Sequence, residues 1–204
     1  MLFEDTYLTI KEPSQGLYKD RGSKFSGFAF PINNEEEAKQ RLIEVKKLHA
    51  SATHHCYAYR LGADKLAFRA NDDGEPNNSA GIPILGQIQS FDLSNILIGV
   101  VRYYGGTKLG VGGLVQAYKT AAKDAIENGE IIEMEVFEWV KIHFDYSAMP
   151  HVMNFVKQHQ LPIKEQIFEK DCSIITNLPL NSKEFLKEEI KKISETTIEE
   201  MGIN

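Results

Sequence analysis

Apolar and polar positions alternate with two clear periods along the 204 residues, and the places where the period changes outline the elements. Phe28, Phe30 and Ile32 alternate as on a half-buried strand, while Ala38, Leu42, Val45 and Leu48 recur at helical spacing and predict a helix over Glu35–His49. Asn34 ahead of that helix, with Glu37 three residues on, resembles a capping box with Asn in the capping place. His55–Leu61 and Lys65–Ala70 are aromatic-rich extended runs joined by Gly62-Ala63-Asp64, a hairpin pattern. The uninterrupted apolar run Ile96–Val101 reads as a fully buried strand. Leu114, Tyr118, Ala121, Ala122, Ala125 and Ile126 then mark one face of a helix expected to begin immediately after Gly112-Gly113.

The pattern of the last third differs. Strands are expected over Phe137–Phe144, Ile163–Glu169 and Asp171–Thr176, with helices over Ser147–Gln158 and Ser182–Ile193 and a short final strand near Thr197. That order is a ferredoxin-like βαββαβ unit, so the chain as a whole reads as α+β. Glycine usage changes with it: nine of the fifteen glycines lie between Gly74 and Gly113, and only Gly202 follows Gly129. A boundary near Met134 divides the chain into residues 1–134 and 135–204.

Composition then narrows the function classes. Apolar residues make up 42% and charged residues 25%, enough to build a core. The net charge is −6, with 15 basic and 17 acidic residues in the first part and 8 and 12 in the second. That balance argues against a strongly cationic, sequence-blind nucleic-acid binder, whose affinity comes from many phosphate contacts. No apolar run approaches the roughly 20 residues that span a bilayer. Two cysteines, Cys56 and Cys172, do not make a disulfide framework, and Met1–Lys11 lacks a signal-peptide pattern, so a cytoplasmic setting is expected.

The densest chemical signal is the stretch from Val100 to Leu114, where a buried strand passes through Gly105, Gly106, Gly110, Gly112 and Gly113 into a helix. Free N–H groups at a helix start favour an anion, and Arg102 and Lys108 add charge. The spacing matches neither a P-loop nor a dinucleotide fingerprint. A second constellation, Asp72, Asp73 and Glu75 around Gly74, has the oxygen ligands a hard cation such as magnesium takes, although Asp-Gly is also an ordinary turn pair. A third, His54-His55-Cys56, starts a strand; His54 and Cys56 then share one face and His55 takes the other. Neighbours two apart on a strand do not form a Cys–His nucleophile readily. Arg21 and Lys24 precede another strand, and convergence with Arg102 and Lys108 would give a positive spot.

Taken together, Arg21-Gly-Ser-Lys-Phe, His54-His-Cys-Tyr-Ala-Tyr-Arg60, Asp72-Asp-Gly-Glu-Pro76 and Arg102-Tyr-Tyr-Gly-Gly-Thr-Lys-Leu-Gly110 resemble the IMPACT/YigZ family over residues 1 to about 130. The remainder is similar to the smaller C-terminal domain of bacterial members. Asn77-Asn78-Ser79 stands where the family usually has Ser-Gly-Thr, and Gln116 where a basic residue is common.

The resemblance implies an N-terminal α/β sandwich like the second domain of small-subunit ribosomal protein five. It also implies a C-terminal domain like the last domain of elongation factor G. It further implies a translation-associated binding protein with the ribosome, a translation factor or RNA as partner. Arg21, Lys24, His55, Asp72, Asp73, Glu75, Arg102, Gly105, Gly106, Lys108, Gly112 and Gly113 are the candidate binding residues, with no cofactor required. In this reading Arg102 and Lys108 engage an anion; alternatively, Arg102 pairs internally with Asp72 or Asp73. A small enzyme acting on a phosphate-containing metabolite with magnesium at Asp72, Asp73 and Glu75 is the competing expectation. RNA binding by the ferredoxin-like part is weakened by that part's acidity and its lack of an RNP-like aromatic pair.

Overall fold

The computed structural model describes residues 5–169 and 171–203. The chain divides into two compact units: among the described residues one holds Tyr7–Met134, and the other holds residues 135–203 together with Asp5 and Thr6 from the start of the chain.

The first unit is built on a five-stranded sheet in the order β2-β3-β6-β4-β5, all antiparallel. Its strands are β2 (Ser14–Asp20), β3 (Ser23–Pro31), β4 (His54–Leu61), β5 (Ala67–Asn71) and β6 (Ile96–Tyr103). Helices α2 (Gly81–Ser90) and α3 (Gly110–Glu127) cover one face, where Phe25, Ala29, Cys56, Ala58, Ile98 and Val100 meet Ile84, Ile88, Tyr118 and Ala121. Helix α1 (Glu35–Leu48) lies on the other, with Ala38 and Val45 against Leu97 and Val101. Strand β6 is continuously apolar because both of its faces are covered, and β3 shows the same split between Phe25 and Phe28.

Close packing of α3 on the sheet explains two glycines. A Cβ on Gly16 would lie 2.3 Å from the Ala125 nitrogen, and one on Gly27 would lie 2.4 Å from the Ala121 oxygen. Only hydrogen fits there.

The cap of α1 forms as its sequence dictates. Asn34 Oδ1 accepts from the Glu37 N–H at 2.9 Å, while the Glu37 carboxylate accepts from the Asn33 N–H, one residue earlier than in the usual box. The β4–β5 hairpin is present, with its second strand starting at Ala67 rather than Lys65. Helix α3 starts at Gly110, so Gly112 and Gly113 lie inside its first turn instead of preceding it. Four elements have no counterpart in the pattern reading: β1 (Thr6–Ile10), β2, α2 and β7 (Ile131–Glu135), of which β1 and β7 pair with each other.

The second unit has β8 (Phe137–Phe144), α4 (Met149–Gln158), β9 (Ile163–Ile167), β10 (Cys172–Pro179), α5 (Lys183–Lys191) and β11 (Thr196–Ile203). Its antiparallel order β11-β8-β10-β9 is the ferredoxin-like arrangement. Val140, Ile142 and Ile174 from the sheet meet Val152, Phe155 and Leu186 from the helices. Among the described residues no helix is long and apolar enough to cross a membrane.

Candidate functional site

The site forms where three neighbouring strands end beside α3. In the sheet register His54 of β4 and Phe25 of β3 both stand opposite Arg102 of β6. Strand alternation therefore sends Phe25, His54, Cys56 and Arg102 toward α2 and α3, and His55 toward α1. The contacts agree: the Cys56 thiol donates to the Asp72 carbonyl, whereas His55 Nε2 lies 3.0 Å from the His49 carbonyl.

Arg102 meets Glu75, which the turn after β5 delivers. Arg102 Nη1 donates to Glu75 Oε1 at 2.7 Å, and the Tyr118 hydroxyl of α3 donates to the same oxygen at 2.8 Å. The two charged side chains are only 7% and 3% exposed. Arg102 thus has an internal partner, and it is Glu75, not Asp72 or Asp73. The guanidinium is held between the rings of Phe25 and Tyr104, with centroids 5.5 and 5.4 Å away. Its Nε has no hydrogen-bond partner among the described residues. His54 stands alongside, with Nδ1 2.8 Å from the Asp73 carbonyl and Nε2 3.9 Å from Glu75 Oε1.

The three acidic residues of the turn do different work. Asp72 accepts from the backbone N–H groups of Asn78, Ala80 and Gly81 and so caps the start of α2. Asp73, at φ +43°, accepts from the His55 N–H at 2.7 Å. Glu75 belongs to Arg102 and Tyr118. Among the described residues no group of three His, Cys, Asp or Glu side chains is placed to hold a metal ion. Asn78 sits at φ +61°, a conformation asparagine tolerates better than most residues.

Above this buried network opens a cavity of about 520 Å³ whose wall includes His54, Glu75, Arg102, Tyr104, Lys108 and, from α3, Gly110, Val111 and Leu114. The helix start is bare. Leu109 in the capping position offers no side-chain acceptor, and the first turn carries no acidic residue. Its leading N–H groups consequently lack helical acceptors, and the helix dipole adds roughly half a positive charge there. Lys108, exposed on the same wall, forms no hydrogen bond or ion pair among the described residues.

The glycines separate by cause. Gly105 is required by close approach, since a Cβ there would lie 1.9 Å from the Gly22 carbon, and its N–H donates to Ser23 Oγ. Gly106 and Gly110 take φ of +83° and +73°. Gly112 has ordinary helical backbone and nothing within 4 Å of where its Cβ would be. Neither packing nor backbone requires a glycine at that position.

Several sequence candidates lie elsewhere. The Arg21-Gly22 turn, with φ of +44° and +80°, packs against Gly105, but Lys24 lines a different cavity with Gln15, Leu17, His49 and Asp124. The positive spot of four cations is therefore not assembled: Lys24 is not in the cavity of Arg102 and Lys108. His55 faces away from it. Conversely, His54, Tyr104, Leu109 and Tyr118 join the site although none is among the candidate binding residues; the strand register opposite Arg102 is the signal that locates His54. Cys56 is no nucleophile here. Burial, reinforced by the neighbouring carboxylates, pushes its thiol far above the ordinary range, against the opposing pull of Tyr118.

With this geometry in place, comparison with known proteins is informative. The model of the Impact N-terminal domain matches residues 21–126. IMPACT family member YvyE of Bacillus subtilis (strain 168) is 32% identical over 84% of this chain and 79% of its own length. Protein IMPACT of Oryctolagus cuniculus is 36% identical over 45% of this chain, a match covering 30% of that protein. A solved structure described as the crystal structure of an hypothetical protein superposes with a TM-score of 0.80 at 25% identity, covering 96% of this chain and 97% of that one.

Proposed function

The chain belongs to the IMPACT family of regulatory proteins, and on that footing we propose that it acts as a translation-associated binding protein which takes an anionic group of its partner at the start of α3. The partner class is the ribosome, a translation factor or RNA, met in the cytoplasm. The observation that carries this reading is the uncapped start of α3, opening onto one cavity beside Lys108, which has no ion-pair partner among the described residues. An anion there would satisfy backbone N–H groups that the helix leaves free and would gain charge-assisted bonds from lysine. Arg102 serves as the floor, its charge balanced by Glu75.

The reading is tested by sedimenting the tagged protein from its native extract over a ribosome gradient at low and moderate salt. Wild type travelling with ribosomal particles, and Lys108→Glu remaining at the top, is the expected result. Lys108 is exposed, so the substitution leaves the core intact. Equal sedimentation of both proteins with the particles would overturn the assignment of the contact to this cavity, and both remaining at the top would overturn the ribosome as partner.

A further inference from the structure

A sheet edge leaves backbone N–H and C=O groups unpaired, and folded proteins blunt such edges with charges, register breaks or covering groups. Five of the six outer strands among the described residues are blunted. On β2 the Leu17 N–H donates to Asp124 Oδ2 at 2.7 Å and Asn128 Nδ2 donates to the Gln15 carbonyl at 2.9 Å, so the end of α3 covers that edge. The Leu8 carbonyl of β1 accepts from the Ser94 N–H. Strands β9 and β11 each carry a break in register and charged residues, Lys164 and Glu165 in one and Glu199 and Glu200 in the other. Strand β7 holds two glutamates in five residues.

Strand β5 is the exception. Its ladder with β4 is unbroken from Ala67 to Asn71, and it contains no proline, lysine or carboxylate. The backbone of Ala67–Ala70 bonds to β4 and to no other described residue. Leu66 and Phe68, 66% and 57% exposed, alternate onto one face, while Arg69, the single charge of the strand, takes the other. Two large apolar side chains therefore lie exposed beside an open row of donors and acceptors, which is the chemistry of strand addition.

We propose that β5 pairs antiparallel with β5 of a second copy of this chain, about a two-fold axis at Phe68. The size pattern of the strand selects that occupant. Phe68 then stands opposite its own copy, Leu66 opposite Ala70 and Arg69 opposite Ala67, so that a small side chain faces each large one outside the central aromatic pair. A centre at Arg69 would set like charges face to face, and a centre at Ala67 would set Leu66 against Phe68 and shorten the ladder. A ladder of about five residues buries little area, so the association is weak and concentration-dependent.

Analytical ultracentrifugation of the full chain over a wide concentration range tests the pairing. A reversible monomer–dimer equilibrium is expected, and Phe68→Glu, which sets two carboxylates opposite each other, is expected to weaken it at least about tenfold. Phe68 is mostly exposed in the single copy, so the melting temperature of the variant at low concentration should stay level. Cross-linking reads the register independently of that variant, because Cys56 and Cys172 are buried. Under mild oxidation Phe68→Cys is expected to form a disulfide dimer with itself, and Leu66→Cys to do so only when mixed with Ala70→Cys. Leu48→Cys, at a position 79% exposed on α1, is expected to remain monomeric. A chain that stays monomeric up to roughly 1 mM, a dimer that Phe68→Glu leaves intact, or cross-linking of Leu48→Cys as fast as Phe68→Cys overturns the proposal. Slowed exchange of the β5 amides in cell extract, absent from the concentrated pure protein, assigns the edge to a different chain and also overturns it.

Discussion

Replacing Arg102 by alanine removes one member of an ion pair whose side chains are 7% and 3% exposed and whose N···O distance is 2.7 Å. The carboxylate of Glu75 would keep the Tyr118 hydroxyl at 2.8 Å and a distant His54, and no compensating charge in hydrogen-bond contact. Stranding a buried charge in this way costs about 3–5 kcal/mol, more than a hundredfold in the folded-to-unfolded ratio. Removing both charges together strands neither. The double variant Arg102→Met/Glu75→Leu is therefore expected to cost less than the sum of its singles. Urea denaturation followed by circular dichroism measures these differences, and amide exchange in β6 assigns the loss to the first unit. A loss below about 1 kcal/mol for Arg102→Ala, or strict additivity in the double variant, would refute the reasoning. Loss of partner binding in Arg102→Ala is accordingly a statement about folding until the folded fraction is matched.

Gly27→Ala drives a Cβ to 2.4 Å from the Ala121 oxygen and is expected to destabilise by about 1–3 kcal/mol, while Gly112→Ala, with open space, should stabilise by up to about 1 kcal/mol; melting temperatures decide both. His49 Nδ1 lies 2.8 Å from the Tyr103 hydroxyl, and burial, with the charges of His55 and Lys24, holds its pKa below the ordinary 6.5. The folded state thus prefers neutral His49, so its contribution is complete above about pH 6.5 and declines as pH falls through the depressed value. Stability against pH from 7 downward should fall less steeply in His49→Phe than in wild type.

Much of the fold is written in local periodicity, and the failures have physical causes. The α1 cap, the β4–β5 hairpin, the buried strand β6 and the βαββαβ order of the last third all follow from patterns a few residues long. Strand β2 is not visible because its sequence, Ser-Gln-Gly-Leu-Tyr-Lys-Asp, lacks an apolar alternation: Gly16 admits the backbone of α3, Tyr18 is the one large side chain on the inward face, and Leu17 is exposed. Helix α2 was obscured by Gly81, Pro83 and Gly86, and it starts without a cap of its own because Asp72, eight and nine residues earlier, supplies the acceptor. The start of α3 was displaced to Gly110 because Gly112 and Gly113 look like punctuation but are helical.

At the site, composition singles out Arg102, Lys108 and three nearby carboxylates without saying which carboxylate meets the arginine. That choice is made by long-range geometry: Asp72 is engaged by the α2 start and Asp73 by the β4 backbone, which leaves Glu75. His54 and Tyr118 enter through strand register and helix packing, across 48 and 16 residues of sequence from Arg102 respectively. No local pattern carries that information.

The proposed anion seat at the first turn of α3 is open to direct measurement. It is tested most directly by titrating the isotopically labelled full chain with inorganic phosphate while following its amide resonances, at constant pH and ionic strength. Saturable shifts confined to the amides around Gly110, Val111 and Gly112, weakened in Lys108→Met, are expected. Phosphate shifts that bypass this turn, or that persist unchanged in Lys108→Met, would contradict it.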